Sequence, residues 1–265
     1  MIIDFHTHCF TDEVAHRAIP LLSERSGLKP STDGTKAGLL RSMDQSGVAI
    51  SVILPIATKA PQTPTINDWV LSMDDKRIIP FGTIHPDYAN WEHELLRLYG
   101  AGIRGIKLHP DYQVFYVDDP KMFPLYEKMQ ELGMIALFHA GEDIGLKPPY
   151  HCTPRRLLNL LEAFPSLTVV AAHMGGYRQM DDVLELLCGE NLYFDTCFSD
   201  HVIGDEGMAR IIEAHGADRI LFGTDLPWDD QAEQIKMIHR LPLSDEEREK
   251  ILWRNAVELL QLKQS

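Results

Sequence analysis

His6 and His8 stand two residues apart at the end of the first apolar run of the chain, in Ile-Ile-Asp-Phe-His-Thr-His. In an extended strand, residues i and i+2 point to the same side. The two imidazoles therefore project together, and neutral imidazoles on one side can hold a divalent cation. Further along, His139, His173 and Asp225 each close or follow another apolar run, and Lys107 and His109 share the segment Gly-Ile-Lys-Leu-His-Pro. Ionisable groups next to buried strands are costly unless partnered, so their recurrence at run ends calls for a shared task. Nitrogens from His6, His8 and His139 with an oxygen from Asp225 make a donor set suited to zinc, and also to manganese or iron. A cation held there lowers the pKa of water from ~16 toward ~7, and Asp225 is placed to take the proton.

Two residues leave the chemistry open. His173, in Ala-Ala-His-Met-Gly-Gly, is either a ligand to a second metal or a mobile general acid/base. Lys107 lies between Ile106 and Leu108, on the same side as His109. It is either a carbamylated lysine bridging two metals, or an ordinary lysine that pairs with a carboxylate or snorkels outward. The remaining histidines carry less. His16, His93, His215 and His239 fall in helical patterns and are expected to face solvent, His85 to cap or enter a strand end, and His151 and His201 to lie in loops.

The elements that must position these groups repeat along the chain. Apolar, β-branched runs at residues 2–6, 48–54, 78–84, 103–109, 134–139, 167–173, 192–196 and 220–223 have strand length and are apolar on both faces, as in a parallel sheet covered by helices. Amphipathic stretches fill the gaps. Asp119-Pro120 opens one that stops at Gly133, Thr153-Pro154 opens another, and Ser244 with Glu247 forms a capping box at the start of the last. Eight strands, each followed by helical sequence, predict a single α/β domain over residues 1–265, a (β/α)8 TIM barrel. Such barrels carry their chemistry at the C-terminal strand ends, where these polar residues stand. The loops at 29–35, 58–65 and 143–150 are where substrate choice would be encoded.

Composition narrows the function class. With 25 Lys plus Arg against 39 Asp plus Glu, a net charge of −14 opposes binding to nucleic acid. No apolar run reaches the ~18 residues of a membrane span, and the N-terminal residues lack a signal-peptide pattern, so a cytoplasmic protein is expected. The four cysteines, Cys9, Cys152, Cys188 and Cys197, form no CxxC pair and read as free thiols; Cys188 and Cys197 lie in or beside apolar runs and are expected in the core, and Cys9, after the His-Thr-His motif, is expected to pack in the core or line the site. The expected partner is a small-molecule substrate, with a homodimer as the default assembly.

Together the segments IIDFHTH, GIKLHP, LFHAGED, VVAAHMGG, LFGTDLPW and NAVELLQL resemble the amidohydrolase superfamily over the whole chain, and within it the branch that includes aminocarboxymuconate-semialdehyde decarboxylase. The resemblance implies that His6, His8, His139 and Asp225 hold the catalytic metal, with one or two ions bound. His173 would then ligate a second metal or act as the acid/base group, and GIKLHP is similar to the segment that carries the carbamylated Lys107 position of binuclear members. PHP-type phosphoesterases open in a similar way but close with Asp-x-His, whereas Asp225 is followed by Leu226 and Pro227. The activity expected first is hydrolysis of an amide, lactone or ester by metal-activated water. The alternative is non-oxidative decarboxylation of an unsaturated or aromatic carboxylic acid.

Overall fold

The computed structural model describes residues 1–263. Its strands, among the described residues, are β1 (Ile3–Thr7), β2 (Ile50–Ile53), β3 (Ile78–Pro80), β4 (Gly82–Thr83), β5 (Gly105–Leu108), β6 (Ile135–Phe138), β7 (Thr168–Ala171), β8 (Tyr193–Asp195) and β9 (Ile220–Leu221). Every predicted run contains a strand. The run at 78–84 contains two, because the segment breaks at Phe81, whose ring lies where a side chain on Gly105 would stand, 2.2 Å from an added Cβ. Counted as one strand, β3 and β4 restore the predicted eight.

The chain divides into two compact units. The first comprises Met1–Ile53, Asp75–Ile79 and the chain from Asp195 onward. In it β1 runs parallel to β2, with Ile3 opposite Ile50 and Asp4 opposite Ser51, and the register then shifts so that Thr7 faces Ile53. On its other side β1 meets the segment that leaves β9. Phe5 N–H donates to the Phe222 carbonyl at 2.7 Å, His8 N–H to Leu226 at 2.6 Å, and Asp225 N–H back to His6 at 2.8 Å. Thr196 N–H donates to Leu221 at 3.0 Å, which adds the end of β8 to this arc. All five residues of β1 are buried.

The second unit comprises Leu54–Asp74 and Pro80–Phe194. Its strands β4 to β8 pair in parallel and in sequence order, with Lys107 opposite Thr83 on one side and Leu137 on the other. Strands β5 and β6 are buried along their whole length, as expected of a sheet covered on both faces. The helix Phe123–Leu132 ends on Gly133 with φ 64°, and Pro154–Ala163 turns Leu157, Leu160 and Leu161 inward. The second follows its predicted start, whereas the first opens at Asp119 as a 3-10 turn, Pro120–Met122, before the α-helix begins. The capping box at Ser244 forms, and the helix after it passes through a π-helical turn, Lys250–Arg254, before Asn255–Leu259. No helix among the described residues is long and apolar enough to cross a membrane.

His215 corrects a sequence expectation. It ends the helix Asp200–His215 and is buried, not solvent-facing. His201 likewise lies in the first turn of that helix, not in a loop. His16, His93 and His239 are exposed as expected.

Candidate functional site

In the first unit, the i, i+2 spacing does what it predicts. His6 Nε2 and His8 Nε2 lie 3.2 Å apart, and Asp225 Oδ1 stands 3.1 Å from His8 Nε2 and 3.4 Å from His6 Nε2. Donors at 2.0–2.2 Å from one cation stand about 3.0 Å apart at a right angle and about 3.4 Å at the tetrahedral angle. The three separations fall on that range. His6 Nδ1 lies 2.7 Å from Asp195 Oδ2, a group that accepts, so Nδ1 carries the proton and Nε2 presents its lone pair to the cluster. The residues present therefore fit a divalent cation.

The backbone is bent to bring Asp225 in. Its φ of 66° is in the left-handed region, which Asp tolerates better than most residues. The bond from its N–H to His6 and the one it accepts from Trp228 N–H at 2.8 Å hold it there. Asp4 anchors the same two segments. Its fully buried carboxylate accepts from Thr224 Oγ1 at 2.6 Å, Gln231 Nε2 at 2.8 Å, Thr224 N–H at 3.1 Å and His6 N–H at 3.2 Å. Burial pushes this carboxyl up to about 7, against the pull of those four donors.

The second unit gathers the other predicted residues. His139 follows β6, His173 follows β7, and His173 Nε2 lies 3.0 Å from His139 Nδ1. The loops that carry them are zipped together. Tyr177 N–H donates to Ala140 at 3.0 Å and Glu142 N–H to Tyr177 at 3.1 Å. Only glycine fits at position 141, where a Cβ would sit 2.2 Å from the Tyr177 nitrogen. His139 Nε2 faces the Glu142 carbonyl at 3.2 Å, and its ring stacks on His109 at 4.1 Å. Burial first, then the neighbouring His109 and His173, drive the His139 pKa well below the usual imidazole range, so it stays neutral. Lys107 is 1% exposed, so it does not snorkel outward, and its charge adds to that depression.

Two other clusters of donor atoms are closed by hydrogen bonds. His109 Nδ1 accepts from Tyr112 N–H at 3.3 Å, so its Nε2 carries the proton and faces Asp143 Oδ2 at 3.4 Å as a donor. Around Asp229, His201 Nε2 and Gln234 Nε2 both approach Oδ2 to 2.7 Å, and Gln234 also donates to Asp200 at 3.0 Å. These are complementary donor–acceptor distances, closed by hydrogen bonds without an ion. His85 takes the capping role, its Nδ1 accepting from Asp87 N–H at 3.1 Å, and His151 Nδ1 pairs with Asp111 at 2.7 Å.

Sequence reasoning passed over Asp195, Asp4 and Cys197. Cys197 reads as core and is buried, yet its Sγ stands 3.2 Å from His6 Nδ1. The available signal for Asp195 was its place at the end of a strand, in Tyr-Phe-Asp-Thr-Cys.

The Amidohydrolase family model matches residues 3–262. A 2-keto-4-carboxy-3-hexenedioate hydratase from Sphingobium sp. is 28% identical over 156 residues, 47% of this chain and 44% of the relative. A 2-amino-3-carboxymuconate-6-semialdehyde decarboxylase from Dictyostelium discoideum is 22% identical, over 73% of this chain and 64% of the relative. The matches thus span less than two thirds of these relatives' own length. Among solved structures, a TIM-barrel protein from Bordetella bronchiseptica superposes with a TM-score of 0.77 at 21% identity, covering 98% of both chains. The 5-carboxyvanillate decarboxylase LigW from Sphingomonas paucimobilis gives 0.74 at 17% identity, covering 99% of both. A dihydroxybenzoic acid decarboxylase from Polaromonas sp. JS666, with bound manganese and 2-nitroresorcinol, gives 0.73 at 18%, covering 100% of this chain and 98% of that one. The fold is the α/β TIM barrel. The chain belongs to the amidohydrolase family, a family of metal-dependent enzymes.

Proposed function

We propose that the chain is a metal-dependent C–C lyase that releases carbon dioxide from a small unsaturated or aromatic carboxylic acid. The observation that carries the proposal is the convergence of His6 Nε2, His8 Nε2 and Asp225 Oδ1 at cation spacing. The choice of decarboxylation over hydrolysis is supported by the decarboxylases among the similar structures. His6, His8 and Asp225 are assigned to the cation, and the family resemblance adds His139 as a further ligand. Zinc and manganese both suit this donor set, and manganese occupies a similar decarboxylase. The cation, when bound, orients the substrate's oxygens and draws off charge that develops as the bond breaks.

The residues of the chain supply the rest. The carboxyl carbon leaves as carbon dioxide, and its bonding pair stays on the substrate carbon. That carbon needs one proton, and His173 is assigned to deliver it. The imidazole is buried and held against His139, so the proton is kept from bulk water. With one cation, Lys107 serves as an unmodified amine.

Hydrolysis by metal-activated water, with Asp225 taking the proton, is the second reading, and the family assignment supports it. The two separate in one experiment. The purified chain, loaded with Mn2+ or Zn2+, is offered hydroxybenzoates and unsaturated dicarboxylates in one panel and lactones and amides in the other, in 18O-labelled water. Carbon dioxide release, lost about 10²–10⁴-fold in His173→Asn at unchanged metal content, is expected. Product that carries 18O with no carbon dioxide sinks the decarboxylase reading.

A further inference from the structure

We infer that Asp195 is the positioning residue for the cation cluster: it fixes which nitrogen of His6 carries the proton, and Cys197 and Gly223 make the pairing possible. The inference rests on the reading that His6, His8 and Asp225 hold a cation.

A neutral imidazole carries one proton, on Nδ1 or on Nε2, and only the bare nitrogen can bind a metal. In an isolated histidine both forms are populated. Here Asp195 Oδ2 lies 2.7 Å from His6 Nδ1, with the two side chains 0% and 1% exposed. A carboxylate oxygen in that position accepts, so the proton is held on Nδ1 and the lone pair of Nε2 is turned toward His8 and Asp225. Ligating histidines are commonly tied in this way through their second nitrogen, and the tie also makes the ligand more basic.

Three features show that the pairing is built. Cys197 N–H donates to Asp195 Oδ1 at 3.3 Å, which sets the plane of the carboxylate, and Cys197 Sγ lies 3.2 Å from the same His6 Nδ1. Position 223 has no side chain, and a Cβ there would stand 2.8 Å from His6 Cβ and 3.4 Å from Asp195 Cβ. The two residues close on each other across that gap. Thr196 and Gly223 lock the backbone on either side, with Thr196 Oγ1 donating to the Gly223 carbonyl at 3.0 Å and Gly223 N–H donating to Thr196 Oγ1 at 3.1 Å. The residue that follows Asp195 is thus tied to position 223.

The test has two arms. In the first, the cation-free wild-type chain is labelled with 15N-histidine, and long-range 15N–1H correlation reads the His6 tautomer. The proton is expected on Nδ1 in wild type and on Nε2 in Asp195→Asn, whose amide can donate to Nδ1. A wild-type His6 protonated on Nε2 overturns the inference even if no variant folds. In the second arm, competition with a chelator measures Mn2+ and Zn2+ binding. Asp195→Asn is expected to bind 10–100-fold more weakly, with Asp195→Glu recovering part of the loss. Binding equal to wild type in Asp195→Asn overturns the inference. If His8→Ala also leaves binding unchanged, the cation cluster itself is wrong, and the tautomer arm reports on Asp195 separately.

Discussion

Gly223→Ala probes whether the spacing of the cation cluster depends on close approach at one point. An added Cβ would lie 2.8 Å from His6 Cβ, and 3.4 and 3.5 Å from Asp195 Cβ and Cγ. Gly223 is absent from the positive-φ residues, so alanine meets no backbone penalty and the effect reports space alone. Carbon atoms in good contact stand about 3.5–4.0 Å apart, so His6 must retreat by roughly 0.7 Å or more. Its Cβ is set by the backbone of β1, so it cannot swing away as a side-chain tip would. Overpacking of this kind costs about 1–3 kcal/mol. The stiffer unfolded chain of the alanine variant offsets about 0.4–1 kcal/mol. A net loss of about 1–2 kcal/mol in unfolding free energy is expected from urea denaturation without added metal. Cation affinity is expected to fall at least about tenfold, equivalent to 1.4 kcal/mol, because moving His6 stretches either the Asp195 bond or the 3.2 Å spacing to His8. An alanine variant as stable as wild type that binds the cation equally well would refute the steric argument.

Three further outcomes follow from the same geometry. Asn67, fully buried, donates to the Thr83 carbonyl at 2.9 Å and to Glu94 at 2.7 Å, and accepts from Thr83 N–H at 3.0 Å. Asn67→Ala leaves those partners unsatisfied and should cost about 2–4 kcal/mol by chemical denaturation; a loss under 1 kcal/mol would show that water replaces the amide. Burial raises the Glu94 pKa, but the bonds from Arg97 and Asn67 outweigh it and hold the carboxyl below its usual range. A lowered carboxyl pKa stabilises the fold above the unfolded value and loses that contribution as pH falls through the folded one. The stability gap between wild type and Glu94→Gln should therefore be widest near neutrality and close in acid, and a gap independent of pH would count against the network. Mn2+ at 100 times its dissociation constant should raise the unfolding free energy by about 2.7 kcal/mol, reversed by chelation. His8→Ala should abolish that gain, and an equal gain in the variant would place the cation elsewhere.

The strand frame was legible because buried parallel strands are apolar on both faces, a pattern few other elements produce at this length. What escaped the sequence depended on distant partners. Asp195 meets His6 across 189 positions of chain, so its place at the end of a strand does not by itself name that partner. Cys197 was classed with the core on composition, which its burial satisfies and its place beside His6 exceeds. His215 falls in a helical pattern and is expected to face solvent, yet packing buries it.

Asp4 shows where the period-2 rule stops. Strict alternation would place Asp4, His6 and His8 on one side and offer three donors to one cation. The register of β1 against β2 shifts between Asp4 and Thr7, so strict alternation does not hold along the strand. His6 and His8 turn to Asp225, while Asp4 turns to Thr224 and Gln231. The carboxylate then holds the backbone of both segments that carry the donors, accepting from His6 N–H on one and Thr224 N–H on the other. Asp4 thus braces the two segments that carry His6, His8 and Asp225.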